Sequence, residues 1–110
     1  MTVQLTATAD PSHVSALRHQ NDNFRRALTG GTLLLSAGIV ALDAANQARI
    51  IDAVREFDDF DEDPWDPHDI GDLVVEIEEP GIARLRELIF FRIDRIATGL
   101  VLTIMLASEW

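Results

Sequence analysis

The segment from Glu56 to Glu79 holds twelve carboxylates and neither arginine nor lysine, whereas the other 86 residues hold nine arginines and seven acids. Because like charges held close together repel one another and disfavour a compact state, this clustering suggests a surface made to meet something basic. Phe57, Phe60 and Trp65 lie among the acids, unlike the composition of a disordered tail. We therefore expect an ordered surface whose acids are Glu56, Asp58, Asp59, Asp61, Glu62, Asp63, Asp66, Asp69, Asp72, Glu76, Glu78 and Glu79.

Length and composition limit the architecture. With 110 residues, 47% of them hydrophobic, the chain fits a single domain over residues 1–110, in which we expect residues 1–10 to be flexible. It has no cysteine, which is compatible with a cytoplasmic protein. The most apolar run, 100–107, is far shorter than the roughly 20 residues that a membrane-spanning helix needs, so we predict no membrane contact.

Two helices are predicted from their ends. Asp10 and Pro11 have the form of an N-cap and a first helical residue, which predicts a helix over 11–28 that Gly30 and Gly31 end. Asn21 is a polar residue on the otherwise apolar face of this helix. Asp43 caps a second predicted helix, 43–57, whose apolar stripe is Ile50, Ile51, Val54 and Phe57.

Strands are predicted from short apolar runs and from alternation. The segment 32–37 suits a buried strand, 72–78 alternates apolar and acidic residues, and 100–107 resembles a central strand buried on both faces. The stretch 82–96 fits either a helix or a strand, and we place a strand at 88–95. Prolines and dense acids predict a loop at 58–70. The expected fold is α+β, an antiparallel sheet of about four strands packed against two helices.

The residues offer little for catalysis. His68, flanked by Asp66 and Asp69, suggests a metal ligand, but neighbouring residues in a proline-containing loop rarely converge on one ion. Asp59, Asp61 and Asp63 match the first positions of a calcium-binding EF-hand loop, yet Pro64 and Ile70 replace its required glycine and glutamate. We therefore predict a protein without catalytic residues, metal or cofactor. A metal-dependent enzyme centred on His68 remains an alternative.

The acidic segment indicates a partner. Duplex DNA carries about one negative charge per 1.7 Å of its axis, and proteins that bind it present arginine and lysine to match. A folded surface with about a dozen carboxylates can compete for such a groove. We predict binding to a basic protein or nucleoprotein complex through the twelve acids, with Trp65 as an apolar anchor, and no direct binding of nucleic acid.

Several segments resemble a known family. Asn21-Asp22-x-Phe24-Arg25-Arg26, Gly30-Gly31, Leu33 to Ile39, Val54-Arg55-x-Phe57-Asp58-x-Phe60 and Val101 to Ala107 are similar to an uncharacterised family of small bacterial proteins often carried on mobile elements. In that family the acidic loop usually has two histidines, of which this chain keeps only His68. The resemblance implies an α+β fold and a mobile-element setting.

Three functions are therefore expected in order. The first is a non-enzymatic inhibitor that acts as a DNA mimic against a host defence complex, of the anti-CRISPR or anti-restriction type, with a CRISPR effector subunit as one such target. The second is a small interaction module or antitoxin-like partner, monomeric or dimeric, whose acids only increase solubility. The third is the enzyme centred on His68.

Overall fold

A computed structural model describes residues 11–61, 63–79 and 82–110 of the protein. In chain order it contains helix α1 (Pro11–Ala27), strand β1 (Gly31–Leu35), helix α2 (Ala37–Val40), helix α3 (Ala44–Glu56), strands β2 (Ile70–Glu79), β3 (Ile82–Ile96) and β4 (Gly99–Leu106), and a 3₁₀ turn (Ala107–Glu109). The α+β fold is thus confirmed. The predicted cap Asp10 and the predicted flexible segment 1–10 lie outside the described residues, as does Glu62.

The four strands form one sheet in the order β1-β4-β3-β2. β2 and β3 pair antiparallel, and so do β3 and β4, but β1 runs parallel to β4. The predicted purely antiparallel sheet is wrong on this point. Hairpins join β2, β3 and β4 in sequence, whereas β1 is separated from β4 by two helices and two strands and pairs with it after a long crossover.

Several boundaries also differ from the prediction. β1 ends at Leu35 because Ser36 instead caps α2, a four-residue helix too short to show an apolar stripe. β2 and β3 are longer than predicted, and the ambiguous stretch 82–96 is strand throughout. Strand β1 is an edge strand with partly exposed side chains, and β4 is central but fully buries only Leu102 and Ile104.

The helices cover one face of the sheet, which we call the inner face. The stripe of α3 supplies Ile50 and Val54 as buried residues, while Ile51 and Phe57 are half-buried. The Asp43 carboxylate accepts a hydrogen bond from the Asn46 amide, so the predicted cap of this helix is confirmed. The core consists of Phe24, Ile39, Ile50, Val54, Val75, Ile77, Ile89, Phe91, Ile93, Leu102 and Ile104.

Helix α1 ends shortly before Gly30 and Gly31, as the sequence predicts. Gly30 has a φ of +85° and Leu28 a φ of +55°, so two left-handed residues turn the chain from α1 into β1. The helix is continuous through Asn21 and Asp22. Its polar face therefore runs unbroken past the segment 57–69, which we call the acidic loop.

Candidate functional site: the acidic loop and its attachment to helix α1

The predicted acids separate into two groups. Asp58, Asp59, Asp61 and Asp63 lie exposed on the acidic loop, where Asp66 and Asp69 are half-buried. Asp72, Glu76, Glu78 and Glu79 are exposed on β2, and Glu56 is the last residue of α3. The sequence segment therefore forms a loop surface and a strand surface with different surroundings.

The acids of β2 face arginines. Glu76 lies 3.2 Å from Arg84 and 3.8 Å from Arg86, and Glu78 lies 3.4 Å from Arg49. Such exposed pairs add little stability, but they offset the charge that a partner would meet. Asp72 and Glu79 have no ion pair within the described residues.

The loop acids are not offset in this way. Across residues 11–61, 63–79 and 82–110, Asp58, Asp59 and Asp61 form neither an ion pair nor a side-chain hydrogen bond. Within the same residues, the Asp63 carboxylate accepts one hydrogen bond, from the backbone amide of Trp65, whose side chain is 49% exposed. These carboxylates and the tryptophan therefore remain available to a partner.

Helix α1 nevertheless holds the loop firmly by its backbone. Arg18 donates to the carbonyl oxygens of Asp66, Asp63 and Pro64 at 2.9, 3.2 and 3.1 Å, and the Asn21 amide donates to that of Pro67 at 2.9 Å. Since both residues bind carbonyls rather than carboxylates, the loop is ordered without losing its charge. At the end of the loop, the Ile93 amide of β3 donates to the Asp69 carbonyl at 2.7 Å.

Arg25 anchors the beginning of the same loop. Its side chain is fully buried, donating to the Asp22 carboxylate at 2.9 Å and to the Phe57 carbonyl at 2.8 Å. The guanidinium carbon lies 5.0 Å from the Phe60 ring centre and 5.8 Å from that of Phe91, within the range of cation–π attraction. Its Nε atom has no hydrogen-bond partner within the described residues.

His68 completes this cluster. Its Nδ1 atom lies 3.0 and 3.1 Å from the two Asp22 oxygens, and its ring stacks on Phe60 with centroids 3.9 Å apart. Phe60 stacks in turn on Phe57 at 4.8 Å. The His68 backbone is left-handed, with a φ of +58°, and its amide donates to the Asp66 carboxylate. The strained residue is thus fixed from both its backbone and its side chain.

Two half-buried carboxylates of the site, Asp22 and Asp69, have pKa values shifted in opposite directions. Burial raises the pKa of Asp22, but hydrogen bonds from Arg25 and His68 and their charges outweigh it, leaving that pKa below its ordinary value of 3.8. Burial also raises the pKa of Asp69, against a hydrogen bond from its own backbone amide, and the charges of Asp66 and Asp94 raise it further.

The structure changes the role suggested for His68. The histidine faces Asp22 and Phe60 rather than its sequence neighbours, and the described residues contain no group of three or more histidines or acids placed to hold a metal ion.

No helix among the described residues is long and apolar enough to cross a membrane.

Sequence reasoning missed the residues of α1 that hold the loop. Arg18, Asn21, Asp22 and Arg25 have the spacing i, i+3, i+4, i+7 that places side chains on one face of a helix. A polar stripe at that spacing was the available signal. The sequence prediction instead treats Asn21 as a single polar residue that interrupts an apolar face.

The family comparison matches most of this architecture. A family model described as a protein of unknown function, DUF3768, matches residues 35–100, which is more than half of the chain. The chain belongs to this family. The DUF3768 match includes Phe57, Phe60 and His68 of the site, whereas the α1 residues lie before it. Searches of curated proteins and of solved structures gave no match.

Proposed function

We propose that the protein is a non-enzymatic inhibitor that acts as a DNA mimic, occupying the basic nucleic-acid-binding groove of a host defence complex. The observation that carries this proposal is that Arg18, Asn21 and Arg25 hold the acidic loop by its carbonyls while Asp58, Asp59 and Asp61 stay exposed and unpaired. The mobile-element setting that the family resemblance implies and a cytoplasmic location belong to the same proposal.

Preorganisation makes such a loop effective. A flexible acidic segment loses conformational freedom when it binds, and this loss weakens the complex. A loop already fixed on α1 avoids most of that cost. Its free carboxylates attract arginines and lysines over long range, and the exposed Trp65 adds apolar contact beside Asp63.

The acids of β2 are expected to contribute less. Glu76 and Glu78 already face arginines of the same chain, so a basic partner must compete with these pairs. The structure thus supports a smaller mimic surface than the full segment 56–79, concentrated on the acidic loop and Trp65.

The test compares how well the protein and matched variants displace DNA from a basic complex. Purified basic nucleic-acid-binding complexes, including CRISPR effectors and restriction enzymes, are loaded with a fluorescent duplex, and its release is followed by anisotropy. We expect the protein to displace the duplex from one of them, with an affinity that falls steeply as salt rises. It should not bind the free duplex.

Two triple variants locate the effect. Asp58→Asn, Asp59→Asn and Asp61→Asn together should weaken displacement at least about tenfold, because each removed charge lowers electrostatic attraction. The control, Asp52→Asn, Glu78→Gln and Glu79→Gln, changes net charge equally at exposed positions outside the loop and should have a much smaller effect. Equal activity of the loop variant and the unchanged protein would refute the proposal.

A further inference from the structure

The face of the sheet opposite the helices has an unusual composition. The strand register places alternate residues of all four strands on this outer face, and none of the helices within residues 11–61, 63–79 and 82–110 covers it. Its central residues are Leu34, Ile70, Asp72, Val74, Leu88, Phe90, Arg92, Thr103 and Met105.

Exposed apolar side chains are concentrated there. Of the eight large hydrophobic residues that are exposed in the described chain, six lie on or against the outer face: Leu34, Ile70, Val74, Leu88, Ile96 and Trp110. Single exposed apolar residues are ordinary, but a contiguous group marks an interaction surface.

Trp110 is held in place on this face. Its ring meets Phe90 edge-on with centroids 5.4 Å apart. The preceding Glu109 carboxylate accepts hydrogen bonds from the Ser36 hydroxyl and the Gly38 amide, which fixes the end of the chain against α2. An exposed tryptophan that is already immobilised loses little freedom on binding, which favours its use as an interface anchor.

The balance of charge on the outer face favours a second copy of the chain as the partner. Arg84 and Arg86 lie beside Glu76, and Arg92 lies 2.8 Å from Asp94, so with Asp72 this face carries three arginines and three acids. It is locally neutral on a chain of net charge −10. A strongly basic or acidic partner finds no complement there, whereas a second copy presents the same balanced set.

We propose that the outer face is the interface of a homodimer, formed by two sheets packed face to face about a two-fold axis. In such an interface the same surface meets itself, so the arginines and acids of one copy face a surface with the same balance of charge, and the exposed apolar residues are covered. This proposal is independent of the function proposed for the acidic loop.

The position of the acidic loop permits this association. Phe57 and Phe60 of the loop pack against Phe91, whose side chain lies on the inner face. Asp59 and Asp61 line a cavity with Ile70 and Asp72 at the β2 edge, so the loop charges of each copy would lie at the rim of the interface and not at its centre. The dimer would present two acidic loops.

The area of the outer face is close to that of a standard dimer interface. β3 has 15 residues and a length of about 50 Å, and four strands are about 19 Å wide. Because the first half of β3 pairs only with β2, the outer face measures roughly 700 Å². Each partner in a standard interface buries about 800 Å², so we expect a dimer that dissociates on dilution.

Light scattering after size exclusion and sedimentation velocity test the proposal. At about 100 μM the protein should have twice the chain mass of 12.2 kDa, and this should persist at about 0.5 M salt because the interface is largely apolar. Leu88→Thr and Val74→Thr each place a polar, β-branched side chain that suits a strand and should each weaken the dimer at least about tenfold.

Two controls complete the design. Val40→Thr changes an equally exposed apolar residue on α2, away from the outer face, and should leave the dimer intact. The loop variant Asp58→Asn, Asp59→Asn, Asp61→Asn should also remain dimeric, which separates this proposal from the DNA-mimic proposal. A monomer mass at about 100 μM, or equal weakening by Val40→Thr, would overturn it.

Discussion

At the scale of single residues, Arg25 is the fully buried side chain that anchors the beginning of the acidic loop. It is fully buried and contacts Asp22, the Phe57 carbonyl and two aromatic rings. Replacing it with methionine retains most of the apolar stem but leaves the Asp22 charge and the Phe57 carbonyl without this donor. We expect Arg25→Met to reduce the free energy of unfolding by about 3–5 kcal/mol.

Urea denaturation followed by circular dichroism measures this loss. The matched control is Arg26→Met, because Arg26 is the next residue of the same helix and its side chain is exposed. That control should change stability by less than about 0.5 kcal/mol. Similar losses for the two variants would show that burial of Arg25 does not determine stability.

The lowered pKa of Asp22 predicts how the free energy of unfolding depends on pH. Because its pKa is lowered in the folded protein, its stabilising effect is complete above the ordinary value of 3.8 and is lost as pH falls through the folded value. Asp22→Asn should therefore cost about 1–2 kcal/mol at pH 7, and the difference from the unchanged protein should shrink below pH 3.8.

Unfolding curves between neutral pH and acid check this dependence. Asp52→Asn, at an exposed position on α3, should produce a small difference that stays nearly constant over the same range. A gap for Asp22→Asn that widens in acid would contradict the role assigned to the Arg25 and His68 contacts.

At the scale of secondary-structure elements, the free edge of β2 is protected by a helix. The Asn46 side chain of α3 donates to the Glu78 carbonyl at 2.6 Å and accepts from the Glu78 amide at 3.0 Å, as a neighbouring strand would. Asn46 is 2% exposed. This contact joins α3 to the sheet edge and blocks pairing with another chain there.

We expect Asn46→Ala to cost about 2–3 kcal/mol, because two hydrogen bonds are lost and the backbone groups of Glu78 lose their partner. Amide exchange at Glu78 should accelerate as well. Asn23→Ala, an exposed position on α1, serves as the control and should have little effect. Unchanged exchange at Glu78 in the Asn46 variant would contradict the edge-protecting role.

At the scale of the whole molecule, negative charge is distributed unevenly between the two sides of the sheet. The aromatic residues of the acidic loop pack on the helix side and its Asp59 and Asp61 lie at the β2 edge, whereas the outer face is locally balanced. Repulsion among the loop acids should oppose folding, and salt should reduce it.

We therefore expect the loop triple variant to melt about 2–6 °C above the unchanged protein in dilute buffer, with the difference shrinking at about 0.5 M salt. The triple control gains less, because it removes Glu78 from its pair with Arg49. Calorimetry at the two salt concentrations gives the comparison. A lower melting temperature for the loop variant would mean that the acids stabilise the fold through contacts.

Much of the fold follows from local signals in the sequence. The carboxylate of Asp43 and the stripe containing Ile50 and Val54 predict α3, and the alternation along β2 predicts which of its side chains are buried. These features depend on residues a few positions apart, where backbone geometry fixes their relation. For residues 82–96 the spacing of apolar residues fits both a helix and a strand. Only the pairing of this segment with β2 and β4 selects the strand.

The sequence by itself determined the α+β class, most helix and strand positions, and the concentration of charge between Glu56 and Glu79. Only the tertiary structure decided that β1 runs parallel to β4 and that α1 holds the acidic loop. Arg18 and its carbonyl partners are more than 40 residues apart, and every residue has a carbonyl. No complementary side chain in the sequence could therefore indicate which carbonyls it binds.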